Sequence, residues 1–133
     1  MHRVMTGWRR IGVVFAIVLL VTLIAACGGK VREYTWSDNG RRLETAVGQT
    51  IVIKLESDPS SGNTWIIEEI DADALKPVTV GAFKPGENGG AGVQEFTFEA
   101  AIGRDVNLRI AYKPADDPSA VAEKTFAVEV AIR

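Results

Sequence analysis

The chain has one cysteine and one histidine in 133 residues, and each scarcity excludes a class of chemistry. A lone cysteine, Cys27, cannot form an internal disulfide bond. The histidine, His2, lies in an N-terminal segment that we expect to be cleaved off, which leaves the mature chain without an imidazole. Ser-His-Asp and Cys-His catalysis, and zinc sites built on His or Cys, are therefore excluded.

Clustered positive charge and a phosphate-binding loop are also missing. Without Arg3, Arg9 and Arg10, the chain keeps 12 of its 15 Lys and Arg residues against 17 Asp and Glu, a net charge of −5. A nucleic-acid partner is not expected, because phosphate binding needs clustered basic residues. No Gly-rich loop follows a strand and opens a helix, so nucleotide binding is not predicted and no cofactor is expected.

The N-terminal segment has the features of a secretory signal that ends in a lipid anchor. Arginines precede residues 11–26, an uncharged and mostly apolar stretch of 16 residues. A helix that spans a bilayer needs about 20 residues, so this stretch is short for a permanent anchor. It ends in Ile24-Ala25-Ala26-Cys27, which resembles the lipobox of bacterial lipoproteins, where a diacylglyceryl group is attached to the cysteine before cleavage.

From this resemblance we predict a signal peptide over residues 1–26 and lipidation of Cys27. Residues 27–35 would be the lipidated cysteine and a tether, and residues 36–133 a single domain. Acyl chains contribute about 0.8 kcal/mol per buried CH₂, so several chains would hold the domain firmly on a membrane. The expected location is the cell envelope, anchored to the membrane and outside the cytoplasm.

Apolar residues recur at every second position through most of the predicted domain, a pattern typical of half-buried strands. No stretch shows helical periodicity, and 71–75 suggests one helical turn at most. Six to eight short strands between Gly-, Pro- and Asp-rich loops predict an all-β sandwich or barrel. The clearest strands contain Ile51-Ile53-Leu55, Phe96-Phe98-Ala100, Val106-Leu108-Ile110-Tyr112 and Phe126-Val128-Val130-Ile132.

Adjacent carboxylates are the remaining candidates for chemistry. Glu68/Glu69, Asp71/Asp73 and Asp116/Asp117 are close in sequence, but a glycosidase needs two carboxylates across a cleft. Asp71 and Asp73 with nearby carbonyls suggest a calcium site only weakly, since they lack the spacing of a known loop. Solvated surface pairs are the simpler interpretation, and the domain is not predicted to be an enzyme or to hold a metal.

Binding then falls to the three longest loops, residues 57–64, 81–92 and 113–123, because loops on a rigid sandwich usually carry recognition. Their residues resemble the chagasin family of cysteine-protease inhibitors. Leu43–Leu55 followed by Asp58-Pro-Ser-Ser-Gly-Asn-Thr-Trp65 is similar to the family's AVG turn, strand and N-P-T-T-G-aromatic-x-W loop. Gly89-Gly90-Ala91-Gly92 before Phe96 is similar to its G-x-G-G motif, and Tyr112-Lys113-Pro114 to its Tyr and Arg-Pro-Trp loop.

The resemblance implies an immunoglobulin-like β-sandwich whose three loops form a wedge that enters the active-site cleft of papain-like cysteine proteases. It assigns the tip of the first loop to Ser60-Ser61-Gly62, with Ser61 near the protease's catalytic cysteine. It places the glycine-rich segment along one side of the cleft and Lys113-Pro114 along the other. The implied protease-binding residues are Asp58, Pro59, Ser60, Ser61, Gly62, Asn63, Gly89, Gly90, Ala91, Gly92, Lys113 and Pro114.

Two departures keep a second interpretation open. Asn63 replaces the aromatic residue of the first loop, and the third loop has Ala115-Asp116-Asp117 where the family has Trp. Loss of a buried aromatic anchor often costs about 2 kcal/mol or more in binding. The hypothesis is therefore a membrane-tethered, reversible inhibitor that we expect to be monomeric. The alternative is an envelope β-sandwich lipoprotein with a non-protease binding or structural role.

Overall fold

The computed structural model describes residues 30–133, which form two four-stranded β-sheets packed face to face. The predicted signal peptide and Cys27 lie outside the described residues. Helical structure in residues 30–133 is limited to two 3₁₀ turns, Trp36–Asp38 and Pro59–Ser61, and none of it is long or apolar enough to cross a membrane. The strands are β1 Val31–Thr35, β2 Arg42–Thr45, β3 Thr50–Ser57, β4 Asn63–Glu69, β5 Leu75–Pro85, β6 Gly92–Ala100, β7 Asp105–Pro114 and β8 Lys124–Ile132.

The strands are ordered β1-β3-β6-β5 in one sheet and β2-β8-β7-β4 in the other. The chain passes between the sheets several times, and two edge strands, β1 and β2, pair in parallel with β3 and β8. This arrangement confirms the predicted all-β sandwich, with eight strands at the upper end of the expected range. The predicted turn at 71–75 is also present, closed by the bond from the Leu75 N–H to the Asp71 carbonyl at 2.9 Å.

Alternating apolar residues of the inner strands fill the space between the sheets. Burying an aliphatic or phenylalanine side chain contributes about 1.5–3 kcal/mol, so this layer supplies most of the stabilisation. Trp65, the last residue of the first family-like motif, is also buried. The largest fully buried side chains are Ile51, Ile53, Leu55, Leu75, Phe96, Phe98, Leu108, Ile110, Phe126, Val130 and Ile132.

The folded domain begins earlier than the predicted boundary at residue 36. Val31–Thr35, expected to be part of the tether, is strand β1, and its register with β3 runs from Val31↔Thr50 to Thr35↔Lys54. Only the partly buried Tyr34 of this strand packs on the core. Main-chain pairing to β3 therefore defines the strand, and alternation of buried side chains is too weak there to reveal it from sequence.

The second predicted loop is shorter than expected. Strand β5 continues through Gly81 to Pro85 and pairs with β6, so the loop covers residues 86–91 and not 81–92. Gly81 has φ of 68° and lies where the register between the two strands shifts. Gly81 therefore marks a β-bulge within strand β5 and not the start of a loop, because glycine is common in both settings.

A buried carboxamide connects the two sheets near the ends of β3 and β4. The Gln94 Oε1 atom accepts hydrogen bonds from Ser57 Oγ (2.9 Å), Thr64 Oγ1 (3.2 Å) and the Trp65 N–H (2.9 Å). Its Nε2 atom donates to the Gly81 carbonyl at 3.3 Å. Gln94 belongs to one sheet and Trp65 to the other, so the Gln94 side chain links the two sheets. It also joins the two ends of the loop between β3 and β4, because Ser57 precedes that loop and Thr64 follows it.

Gln94→Leu is expected to lower the free energy of unfolding by at least about 2 kcal/mol, because buried donors and the Gly81 carbonyl lose their partner. Chemical denaturation measures the change. Gln49→Leu is the matched control: Gln49 also accepts two hydrogen bonds, but it is only partly buried, so water can replace them. Equal losses in the two variants would contradict the connecting role of Gln94.

Candidate functional site

Three loops meet at one pole of the sandwich. They are loop 1 (residues 58–62), loop 2 (residues 86–91) and loop 3 (residues 115–123). Ser57 pairs with Gly92, which also pairs with Pro85, so loops 1 and 2 leave neighbouring strands side by side. Asn63 pairs with Pro114, which brings loop 3 beside loop 1. We call the edge formed by these loops the loop edge.

Loop 1 is a rigid turn. Asp58 caps the 3₁₀ turn Pro59–Ser61, and its Oδ1 atom accepts from the Ser60 N–H at 3.0 Å and from Ser60 Oγ at 2.7 Å. Gly62 closes the turn with φ of 78°, a left-handed conformation that glycine adopts at little cost. The exposed tip, Ser60-Ser61-Gly62, is therefore held by local bonds.

The hydroxyl group of Tyr112 fastens loop 1 to strand β7. It accepts from the Asp58 N–H at 3.1 Å and lies 3.1 Å from Ser61 Oγ. Ser61 Oγ in turn donates to the Asp58 carbonyl at 2.6 Å. The phenol ring is buried against Trp65, with centroids 5.0 Å apart, so the core fixes the position of the loop tip.

Loop 2 exposes glycine main chain. Gly89 and Gly90 have φ of 72° and 73°, and nothing lies within 4 Å of where their Cβ atoms would be. Gly92 differs, since a Cβ there would lie 2.1 Å from the Lys84 carbonyl oxygen. Gly92 is thus required by the close approach of β5 and β6, whereas Gly89, Gly90 and the exposed Ala91 offer open backbone.

Loop 3 is connected to loop 1 and carries its own turn. The Ala115 N–H donates to the Gly62 carbonyl at 3.1 Å, and Asn63 Nδ2 donates to Glu123 Oε2 at 2.7 Å. Asp117 Oδ1 accepts from Ser119 Oγ at 2.7 Å and from its N–H at 3.1 Å, and these bonds lower the pKa of Asp117. These bonds therefore favour the ionised form of Asp117, which holds the turn.

Lys113 differs from the other assigned protease-binding residues because its side chain is not exposed at the loop edge. Its side chain is buried, forms an ion pair with Glu68, and donates from Nζ to the Pro118 carbonyl at 2.8 Å. Lys113 therefore stabilises loop 3 from beneath. The other assigned residues of the domain, namely Asp58, Pro59, Ser60, Ser61, Gly62, Asn63, Gly89, Gly90, Ala91, Gly92 and Pro114, are brought to the loop edge or its base.

Two of the candidate carboxylates form surface ion pairs. Glu69 pairs with Arg109 at 3.4 Å, and Asp71 pairs with Arg104 at 2.8 Å. The bond from Arg104 lowers the pKa of Asp71 and occupies the carboxylate that a calcium ion would need. Within residues 30–133, no group of three or more His, Cys, Asp or Glu side chains is placed to hold a metal ion.

An aromatic group beside the loop edge was not recognised from the sequence. Trp36 lies 6.0 Å from Trp65, and Lys124 Nζ lies between 5.0 and 5.7 Å from the ring centroids of Trp36, Trp65 and Tyr112. Trp65 Nε1 also donates to the Glu56 carbonyl at 2.8 Å. Three aromatic residues from three separate strands or turns converge here, and no local sequence pattern indicates this.

The sequence patterns also gave no indication of the roles of Val121 and Gln94. Val121, in loop 3, is 93% exposed and is the apolar residue that this loop presents. No periodic signal marks it. Gln94 could have been found, because it lies two residues before Phe96 and four before Phe98, on the face that is buried.

Tyr112→Phe is expected to free loop 1 while leaving the sandwich folded, because it removes only the hydroxyl that bonds Asp58 and Ser61. The free energy of unfolding should fall by about 0.5–1.5 kcal/mol, and the amide of Asp58 should exchange faster with solvent. Amide hydrogen exchange measures the effect. Tyr34→Phe, which changes the other tyrosine of the chain at strand β1, is the control, and equal acceleration at Asp58 in both variants would contradict the assignment.

Comparison with known proteins agrees with this geometry. The sequence profile of the Chagasin family peptidase inhibitor I42 matches residues 44–130. Among curated proteins, none matches the chain by sequence.

Solved structures share the fold at low identity. One, the cysteine protease inhibitor EhICP2 from Entamoeba histolytica, has a TM-score of 0.69 and 17% identity, covering 77% of this chain and 95% of that one. Amebosin has a TM-score of 0.60 and 19% identity, covering 79% and 100%. PbICP-C, solved in complex with falcipain-2, has a TM-score of 0.51 and 15% identity, covering 79% and 91%.

The family profile covers more than half of the chain, and the eight-stranded sandwich is the fold of these inhibitors. The chain belongs to the chagasin family of peptidase inhibitors and is not an enzyme.

Proposed function

We propose that this protein is a membrane-tethered, reversible inhibitor of papain-like cysteine proteases, and that its loop edge occludes their active-site cleft. The observation that carries the proposal is the convergence of loops 1, 2 and 3 at one pole of a chagasin-family domain. Among its structural neighbours, EhICP2 is a cysteine protease inhibitor and PbICP-C was solved bound to falcipain-2. Both support a cysteine protease as the partner.

The loop edge suits insertion into a cleft. The tip of loop 1 consists of small residues, Ser60-Ser61-Gly62, and loop 2 offers the backbone of Gly89 and Gly90 with no side chain in the way. Loops 1 and 3 are joined by direct hydrogen bonds, so these loops lose little conformational freedom when they bind a protease. A preorganised surface loses less entropy when it binds, which favours affinity.

The same rigidity would protect the tip of loop 1 from cleavage by the bound protease. Ser61 lies in a 3₁₀ turn that is closed by Gly62 and bonded to Tyr112, so the chain at the tip is not extended. A protease that takes extended peptide would have to open these bonds before it could align a scissile bond. Inhibition is then occupation of the cleft, with no chemistry done by the inhibitor.

Loop 3 defines which proteases are bound best. It lacks the tryptophan and instead exposes Val121, and the same loop contains Asp116, Asp117 and Glu123. Valine supplies less contact area than tryptophan, and the acids favour a cleft with a positively charged rim. Complementary charge of this kind raises the association rate and makes it sensitive to salt.

The membrane tether completes the proposal. Ile24-Ala25-Ala26-Cys27 supplies the only thiol of the chain directly after two small residues and an apolar stretch, as a lipobox requires. Acylation of Cys27 would keep the inhibitor on the cell envelope, where it would meet proteases outside the cytoplasm.

The full chain, purified in detergent, is expected to inhibit papain and a cathepsin-L-like protease competitively, raising the apparent KM of a fluorogenic peptide without changing kcat. Gly62→Glu should weaken inhibition about thirtyfold or more, because it strains the turn and adds a charged side chain at the tip. Steady-state kinetics with both proteases measure the inhibition constants.

Gly48→Glu is the matched control for this experiment. Gly48 also has a positive φ, 89°, with nothing within 4 Å of its Cβ position, but it lies in the turn between β2 and β3 at the opposite pole. It should leave inhibition unchanged apart from any loss of stability. Absence of inhibition by the unaltered chain, or equal effects of the two substitutions, would contradict the proposal.

Cys27→Ser is expected to abolish incorporation of radiolabelled palmitate when the full chain is made in a bacterium with lipoprotein-processing enzymes. Gel autoradiography and membrane fractionation measure the loss. Adding Glu33→Cys to this variant restores a thiol directly after Val31-Arg32, which do not resemble a lipobox, and should not restore labelling. Labelled protein in the Cys27→Ser variant would refute the lipobox assignment.

A further inference from the structure

The chain enters the domain at the pole opposite the loop edge. Strand β1 runs parallel to β3, and Val31 pairs with Thr50 at the start of β3, whereas loop 1 follows Ser57 at its end. The Lys30 carbonyl accepts from the Thr50 N–H at 3.2 Å. Eight residues of β3 separate the two poles by about 26 Å. We call the pole that contains Val31 and Thr50 the anchor pole.

Chain length keeps an anchor on Cys27 close to this pole. Cys27 is three residues before Lys30, and three extended residues reach at most about 10 Å. Because this reach is less than half the distance between the poles, an acyl chain on Cys27 would place the anchor pole, and not the loop edge, beside the lipid headgroups.

The anchor pole exposes aliphatic side chains on adjacent segments. Val31, Val47 and Ile102 are 60%, 52% and 44% exposed. Their segments are joined by main-chain bonds, since the Gly48 N–H donates to the Ala100 carbonyl at 2.8 Å and Val31 lies beside the same turn in the sheet. Three exposed aliphatic residues therefore lie on the segments that surround the point where the chain enters the domain.

Charge distinguishes the two poles as well. The acids that flank the turn at 101–104 are paired, Asp71 with Arg104 at 2.8 Å and Asp105 with Arg133 at 2.9 Å. Loops 1, 2 and 3 instead contain five acids and no Lys or Arg: Asp58, Glu87, Asp116, Asp117 and Glu123. A bilayer with anionic lipids would therefore repel the loop edge, whereas Asp71 and Asp105 at the anchor pole are matched by arginine.

We propose that Val31, Val47 and Ile102 seat the domain on the same bilayer that holds the Cys27 anchor, so that the loop edge points away from the membrane. This inference rests on the lipid anchor proposed above and not on the inhibition. It orients the inhibitor toward proteases that approach from the surrounding medium. Partial burial of aliphatic residues at the headgroup level, added to acyl chains, is a known mode of interfacial binding.

The test uses the full lipidated chain in vesicles of phosphatidylethanolamine and phosphatidylglycerol. Since the Cys27 sulfur is acylated, an introduced cysteine is the only free thiol and takes an environment-sensitive fluorophore. Labels are placed at Ile102→Cys on the anchor pole, Val80→Cys on the body and Asn88→Cys in loop 2. Lipids with nitroxide headgroups, which quench only at short range, should quench position 102 several-fold more than 88, with position 80 between them.

A second set of variants separates seating from tethering. In this set the fluorophore is attached at Val31→Cys. The double substitution Val47→Ser and Ile102→Ser should then reduce quenching toward the value at position 88. Val80→Ser, which removes an equally exposed valine from the body, should leave it unchanged. Equal quenching at positions 102 and 88, or no effect of the double substitution, would overturn the seating.

Flotation of the vesicles and inhibition of papain in detergent are measured in parallel. Protein that fails to float with vesicles would refute the anchor and the seating together. Protein that floats but shows no difference between the poles would refute the seating alone. Inhibition of papain in detergent reports on the loop edge independently of both results.

Discussion

The carboxamide of Gln94 is the interaction on which both the sandwich and its loops depend. It lies between the two sheets, accepts three hydrogen bonds through one oxygen, and reaches residues on either side of loop 1. A buried polar group of this kind is costly unless every partner is in place, so it tolerates little displacement of β3, β4 or β6. The cooperative core of the domain therefore extends to the base of the loop edge.

A second layer of support begins at Tyr112. Its ring packs on Trp65, whose main chain is bonded to Gln94, and its hydroxyl holds Asp58 and Ser61. Loop 1 is thus connected to the hydrophobic core through two side chains. Lys113, the next residue along β7, supports loop 3 from the opposite face of the sheet through Pro118. Neighbouring residues of one strand hold two different loops because their side chains alternate.

The polarity of the domain follows from its parallel edge strand. Most neighbouring strands are antiparallel, but β1 runs with β3, which places the entry of the chain at the end of the sandwich away from the loops. An antiparallel β1 would have brought a membrane tether to the loop edge. The structure therefore keeps the acidic, glycine-rich loops at a distance from the point where the chain enters the domain, and the exposed aliphatic residues lie near that point.

The sequence alone determined the all-β fold, the inward positions of most strands, and the existence of the three loops that form the loop edge. Those features are local, since a period of two and turn-forming residues can be recognised within ten residues. The sequence did not reveal strand β1, the continuation of β5 through Gly81, the burial of Lys113, or the roles of Gln94, Trp36 and Val121. Each of these depends on which strand lies alongside another. Parallel pairing, a bulge and a buried ion pair join residues far apart in the chain, and only the tertiary structure brings them into contact.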